Sequence, residues 1–210
     1  MKTSIRIALF PLLLAAASGH AQDPAVAEQQ RQRMEDAVVQ AMPIGKLMMM
    51  AAAQNPSWPV SKGSKLDAGR LACLRQNLGE ASYRRVVRKR VDDYAVNEPR
   101  RFAGDLALIE GDGGKLFAKA IMGGAQSQMD GKTFDTKEML AKESPRALMG
   151  MLSIANDPQY APLRGLLGLD SAVADNQKDN RNVGRRAGMT LMMPALTDAM
   201  DTCKVGFQDI

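Results

Sequence analysis

Histidine is almost absent from this 210-residue chain, because the single histidine is His20. His20 lies in an N-terminal segment that has the features of a cleaved leader, so we expect the mature chain to contain no histidine. That excludes Ser-His-Asp and Cys-His mechanisms and metal sites built on histidine. No serine is followed three residues later by lysine, which excludes the serine–lysine alternative.

Aromatic residues are also scarce, at 4% of the chain, whereas Ala, Leu and Met are abundant. This composition argues against β-sandwiches, which depend on aromatic and β-branched residues. Glycine pairs occur at Gly113–Gly114 and Gly123–Gly124, but neither has the spacing of a nucleotide-binding loop. We therefore predict an all-α, single-domain bundle of about seven to nine helices, with no cofactor, no metal and no catalytic residues.

The first 21 residues have the three parts of a secretory signal peptide. Two basic residues precede an apolar run at 7–17, and the small residues Gly19 and Ala21 stand at the cleavage positions. The run is shorter than the roughly 20 residues that span a membrane. We expect cleavage after residue 21, a helical domain over 22–210, a periplasmic location and no membrane span; an uncleaved anchor is the alternative.

Cysteine occurs only at Cys73 and Cys203, which are 203 − 73 = 130 residues apart. An even count in an oxidising compartment predicts one disulfide. The alternative is a redox pair, but redox dithiols are normally two residues apart. A bond between these positions would join the last helix to an early one, which favours one domain.

Gly, Pro, Asn and Asp divide the chain into helical blocks. The predicted helices cover residues 25–41, 44–54, 66–78, 80–96, 99–109, 115–129, a short helix after 135, 146–155, a short piece from 158 to 168, and 183–203. We expect Ser64 to cap the third block, Pro99 to occupy a first helical turn, and Gly123–Gly124 to let another helix approach closely.

Residues 65–101 contain ten basic and five acidic side chains, a net charge of +5. The mature chain would carry 26 basic and 23 acidic side chains, or +3, because Lys2 and Arg6 leave with the signal peptide. A net charge this small does not indicate nucleic-acid binding, so we expect no nucleic acid as a partner.

The helix over 80–96 has an apolar face with helical spacing. This face consists of Tyr83, Val87, Val91 and Tyr94. Its burial would leave Arg85, Arg88 and Lys89 directed outward. We interpret this basic face as a docking site for the acidic surface of another protein, and its partner-binding residues are Arg84, Arg85, Arg88 and Lys89. The alternative is a solvated face with the weak pairs Arg88–Asp92 and Lys89–Asp93.

Methionine is dense in three places, at 48–50, at 149 and 151, and at 189, 192 and 193. We expect these side chains to fill the core of an Ala-rich bundle. Two alternatives are a thioether site for copper(I) and an adaptable surface that binds an apolar partner.

Residues 102–122 resemble the helix–glycine–helix core of a family of exported bacterial all-helical proteins of unknown function. The likeness covers about residues 80–130, and it rests on Phe102, Leu106, Gly114, Leu116 and Met122. Where that family has an aromatic pair before the glycine, this chain has Ile109–Glu110. The resemblance implies an all-helical periplasmic fold and no catalytic residues.

These observations predict a non-catalytic periplasmic protein that binds another protein, such as an immunity protein or inhibitor that neutralises a toxin delivered to the periplasm. One alternative is a carboxylate-based cell-wall hydrolase, which would need Glu80 or Glu110 to face another carboxylate. The other is a helical carrier of a lipid or apolar ligand, which would need a large apolar cavity.

Overall fold

The computed structural model describes residues 24–60, 64, 66–169 and 180–209. Within those ranges the chain forms ten α-helices and no strand. The prediction of an all-α single domain with one disulfide is confirmed, with one helix more than the upper end of the expected range. The predicted signal peptide at 1–21 lies outside the described residues. None of the described helices is both long enough and apolar enough to cross a membrane.

The observed boundaries lie within three residues of the predicted ones. The helices are α1 Pro24–Ala41, α2 Ile44–Gln54, α3 Ala68–Asn77, α4 Glu80–Asn97, α5 Phe102–Glu110, α6 Asp112–Met129, α7 Thr136–Ala141, α8 Pro145–Asn156, α9 Ala161–Leu166 and α10 Asn180–Cys203. Short 3₁₀ turns occupy Pro158–Tyr160 and Phe207–Asp209.

The main core lies between α1, α2, α3, α4, α5, α9 and α10, and Ile154 of α8 is also buried in it. Its fully buried side chains include Met34 and Val38 of α1, Tyr83 of α4, Leu163 of α9 and Leu191 of α10. A smaller core lies between α6, α7 and α8, where Leu116, Met139 and Ala147 are buried. The two cores divide the molecule into a large region around α4 and a smaller one around α6 and α8.

The predicted disulfide joins Cys73 of α3 to Cys203 at the end of α10. The bond closes a sequence separation of 130 residues, so the last helix is fixed to an early one, as expected. Leu74 of α3 is fully buried beside it, and α3 therefore belongs to the large region.

The third helix is capped by Asp67 and not by Ser64. Asp67 Oδ1 accepts the Arg70 backbone N–H at 2.8 Å, and α3 begins at Ala68. Ser64 Oγ donates instead to the Asp209 backbone carbonyl at 2.7 Å. The prediction for Ser64 was wrong because a cap stands directly before the first helical residue.

Two further local predictions were wrong at the start of α5 and α6. Pro99 precedes α5, which begins at Phe102, and α6 begins at Asp112 instead of residue 115. A Cβ on Gly114 would lie 1.9 Å from the Ile109 carbonyl oxygen. Glycine at this position therefore allows α6 to follow α5 after a single residue.

The close approach of two helices occurs at Gly113 of α6 and Gly150 of α8. A Cβ on Gly113 would lie 2.5 Å from the Gly150 carbonyl carbon, so only glycine fits between these backbones. Gly123 instead faces the ring of Phe134, which a Cβ would approach to 2.4 Å. The prediction of a helix contact at Gly123–Gly124 was wrong, because an aromatic ring from the segment after α6 occupies that space.

Candidate functional site

Burial of the apolar face of α4 determines the direction in which the basic side chains of this helix point. As predicted, this face is buried, and its members are Tyr83, Val87, Val91 and Tyr94. Residues four apart share a side of a helix, so Arg84 lies beside Arg88, and Arg85 lies beside Lys89. The first pair is directed toward α1, and the second pair toward solvent and α10.

Arg84 is held by three carboxylates. Its Nη1 donates to Asp36 at 2.7 Å and lies 3.4 Å from Glu35, while its Nε donates to Glu80 at 3.3 Å. The hydrogen bond to Asp36 raises the pKa of Arg84, since it favours the charged guanidinium. Arg84 therefore links the start of α4 to the second half of α1, and its Nη1 and Nε donors are occupied within the molecule.

Arg88 is also engaged by α1. Its Nη2 contacts Glu28, its Nη1 lies 3.5 Å from Glu35, and its Nε lies 3.4 Å from Asp92. The hydrogen bond with Glu28 raises the pKa of Arg88, and the same bond lowers the pKa of Glu28. The Arg88–Asp92 pair, which belonged to the alternative of a solvated face, is present, but it is one part of a larger network.

This network, which we call the α1–α4 charge layer, contains three arginines and five carboxylates, a formal charge of 3 − 5 = −2. Its members are Arg31, Arg84, Arg88, Glu28, Glu35, Asp36, Glu80 and Asp92. Glu35 lies at its centre and is only 7% exposed. Sequence reasoning missed the acidic side of this layer, although Glu28, Glu35 and Asp36 have the spacing of one helical face.

Arg85 and Lys89 differ from Arg84 and Arg88. Arg85 Nη2 lies 3.0 Å from Asp198 of α10, and both side chains are more than half exposed, so the pair adds little to stability. Lys89 is exposed and forms no ion pair with any described residue. The Lys89–Asp93 pair of the solvated-face alternative is accordingly not found in the described part of the chain.

An open groove of about 450 Å³ runs along this side of α4. It is lined by Glu35, Arg84, Arg85, Arg88, Lys89 and Asp92. The four predicted partner-binding residues thus line one groove, and its lining carries four positive and two negative charges. Exposed guanidinium and ammonium groups at its rim can bind carboxylates of another molecule.

The carboxylates considered for hydrolysis are engaged by arginines. Glu80 accepts from Arg84 Nε at 3.3 Å. Glu110 is held in a two-point contact by Arg33, with distances of 3.0 Å and 2.5 Å. The hydrogen bond to Glu110 raises the pKa of Arg33. Each carboxylate therefore faces a guanidinium, whereas hydrolysis would require it to face a second carboxyl group across a cleft.

A second groove, of about 310 Å³, lies between α6 and the start of α8. Charged side chains line much of it, and Lys119 pairs with Glu143 across it at 2.5 Å. Charged residues thus line the first groove throughout and make up four of the seven lining residues of the second, whereas a carrier of apolar ligands needs an apolar lining.

A buried polar contact joins α4 to α5. The Tyr94 hydroxyl donates to Asp105, which is 2% exposed and also accepts from Arg101 Nε at 2.8 Å. Burial and the hydrogen bond to Asp105 raise the pKa of Tyr94. Tyr94 and Arg101 Nε both donate to Asp105 Oδ2, and Arg101 Nη2 lies 3.4 Å from Oδ1. Because the carboxylate finds its partners within the protein, we assign this contact a structural role.

Comparison with known protein families, curated proteins and solved structures finds no significant match to this chain. The resemblance to exported all-helical proteins therefore stays a prediction.

Proposed function

We propose that this protein is exported and non-catalytic, and that its basic residues on α4 bind the acidic surface of another protein. The observation that supports this most directly is the division of charge on α4. Arg85 and Lys89 project from the rim of an open groove, while the neighbouring Arg84 and Arg88 are neutralised within the molecule. The rim thus presents two exposed positive side chains, and Lys89 has no ion pair with any described residue.

The four basic residues would contribute differently to such a complex. Arg85 and Lys89 make the first contacts, because releasing Arg85 from the exposed Asp198 costs little. Arg88 becomes available when a carboxylate of the partner replaces Glu28, whose side chain is more than half exposed. Arg84 acts as a positioning residue, since Asp36, Glu80 and Glu35 hold it in place.

Capture of a toxin in the periplasm is the role that fits these features best. A small helical body with a disulfide suits an oxidising compartment, and a charged rim suits rapid, electrostatically steered association. The cell-wall hydrolase and the apolar carrier are less well supported, because the carboxylates in question are paired with arginines and the two grooves have charged linings.

The first experiment identifies the partner at the proposed surface. A photo-crosslinking amino acid replaces Lys89 in one variant and Lys137, an exposed lysine of α7, in a matched control. Crosslinking in the periplasm should yield a discrete product from position 89 that position 137 does not give. The same product from both positions would contradict a specific surface on α4.

The second experiment measures binding to the partner that is found. We expect the variant R85E/K89E to bind about tenfold more weakly, with slower association and a weaker dependence on salt. The control K137E/R146E changes the net charge by the same amount at exposed positions elsewhere, and it should bind as the native protein does. Equal losses of affinity in both variants would mean that binding depends only on net charge, and this would contradict the proposal.

The immunity role has its own test in living cells. Co-production of this protein should protect cells against a periplasmic toxin that crosslinks at position 89, and R85E/K89E should protect less. If R85E/K89E protects cells as well as the native protein does, the immunity role does not depend on the α4 surface. Hydrolysis of peptidoglycan that Glu80→Gln or Glu110→Gln abolishes would contradict the non-catalytic assignment.

A further inference from the structure

The methionines fall into a buried set and an exposed set. The sequence predicted that methionines fill the core, and this describes Met34, Met42 and Met48, which are at most 2% exposed. It does not describe Met49, Met149, Met189 and Met193, which are 59%, 70%, 53% and 37% exposed. Thioethers held in solvent gain little from hydrophobic burial, so core filling does not account for these four positions.

Helix α10 carries exposed methionines at helical spacing. Met189, Met192 and Met193 stand at positions i, i+3 and i+4, which are neighbours on a helix surface. Met192 is half-buried and packs against the main core, while Met189 and Met193 remain accessible. Packing thus anchors the middle thioether of the set, and the two accessible ones lie one helical turn apart.

The other methionine groups do not have this arrangement. Residues 48–50 are adjacent in sequence, and Met149 and Met151 are two residues apart. Side chains at these spacings do not face each other on a helix. The density of methionine along the sequence is similar in the three places, but the helical spacing brings thioethers to one face only on α10.

We propose that Met189, Met192 and Met193 form a binding site for copper(I). Thioether sulfur is a soft, neutral ligand, and it selects monovalent copper over harder ions such as Mg²⁺ or Ca²⁺. Both cysteines of the chain are joined in the disulfide, so no thiol competes for the metal. The ion binds and leaves as copper(I), and no oxidation or reduction is involved.

Copper(I) binding by the full chain tests this site under anaerobic conditions, in competition with a chromogenic copper(I) chelator. The test variant is M189L/M193L, because both side chains are exposed and leucine has a similar volume. The control is M49L/M149L, which removes two thioethers elsewhere that are more exposed than those of Met189 and Met193. His20 is present in all three proteins, so any contribution from it cancels.

We expect the native chain and the control to bind copper(I) equally, and M189L/M193L to bind at least about tenfold more weakly. With methyl-labelled methionine, silver(I) as a redox-inert substitute should shift the methyl signals of Met189, Met192 and Met193 and leave those of Met49 and Met149 in place. The proposal would be overturned if M189L/M193L lost less than about tenfold in copper(I) affinity, or if the control lost as much affinity as M189L/M193L. Silver-induced shifts at other methionines would also overturn it.

Discussion

Between α1 and α4, large side chains such as Met34 and Tyr83 fill the contact, and the α1–α4 charge layer covers it. Between α6 and α8, Gly113 and Gly150 bring the backbones together, and the buried cluster beside them is small. The first contact depends on the volume and charge of side chains, and the second on the absence of a side chain. The two contacts should therefore fail under different substitutions.

The largest expected effect is at the α1–α4 contact. Met34→Ala should lower the free energy of unfolding by about 2–5 kcal/mol, because it leaves a cavity in a fully buried position. Met149→Ala, at a 70% exposed position of α8, should change it by no more than about 0.5 kcal/mol. Denaturant unfolding of both variants checks this. Similar losses would mean that the α8 surface is buried in the protein.

The next effect is at the α6–α8 contact. Gly113→Ala should destabilise the protein by about 1–3 kcal/mol, since the new Cβ meets the Gly150 backbone. Gly124→Ala is the control in the same helix, where the nearest atom is 3.9 Å away. It should stabilise the protein by about 0.5–1 kcal/mol through helix propensity. A stabilising Gly113→Ala would disprove the close approach of α6 and α8.

The two buried tyrosines of α4 allow a comparison within the large region, between a hydroxyl that is hydrogen-bonded and one that is not hydrogen-bonded to any described residue. Tyr94→Phe should cost about 1–3 kcal/mol, because Asp105 loses a hydrogen-bond donor inside the protein. The Tyr83 hydroxyl has no hydrogen-bond partner among the described residues, and burial raises its pKa. Tyr83→Phe should therefore leave the free energy of unfolding unchanged or slightly higher. Equal costs in the two variants, measured by denaturant unfolding, would mean that Tyr83 is hydrogen-bonded.

The smallest effect concerns the exposed edge of the charge layer. The Arg88 hydrogen bond lowers the pKa of Glu28 in the folded state, so this pair stabilises the fold above the unfolded-state pKa of Glu28. That contribution is lost as the pH falls through the lowered folded-state pKa. An NMR titration of the Glu28 carboxyl should show the low pKa, and Arg88→Gln should return it toward its ordinary value. A titration that is the same in both proteins would show that the pair is absent in solution.

Local patterns were enough to predict much of this fold. The spacing of Tyr83, Val87 and Val91 gave the buried face of α4, and the two cysteines gave the disulfide. Helix spacing cannot show which surface another helix covers. The pairing of Arg84 with Asp36 joins residues 48 positions apart, and the contact of Gly113 with Gly150 likewise depends on how distant helices pack.

The candidate site was predicted in part for the same reason. The sequence identified all four basic residues that line the groove, but it treated them as one face. The carboxylates of α1 divide them, because Glu28, Glu35 and Asp36 reach Arg84 and Arg88 and do not reach Lys89. The exposure of Met189 and Met193 was missed because a composition rich in methionine does not show which side chains are covered.

The division of basic residues on α4 is the central claim, and the thermal and denaturant stabilities of Arg84→Gln and Arg85→Gln test it most directly. Arg84→Gln should cost about 1–3 kcal/mol, because it leaves the nearly buried Glu35 and its neighbours with less compensating charge. Arg85→Gln should change stability by no more than about 0.5 kcal/mol, because its pair with Asp198 is exposed. Equal effects of the two substitutions would contradict a division between an internal and an outward set of basic residues.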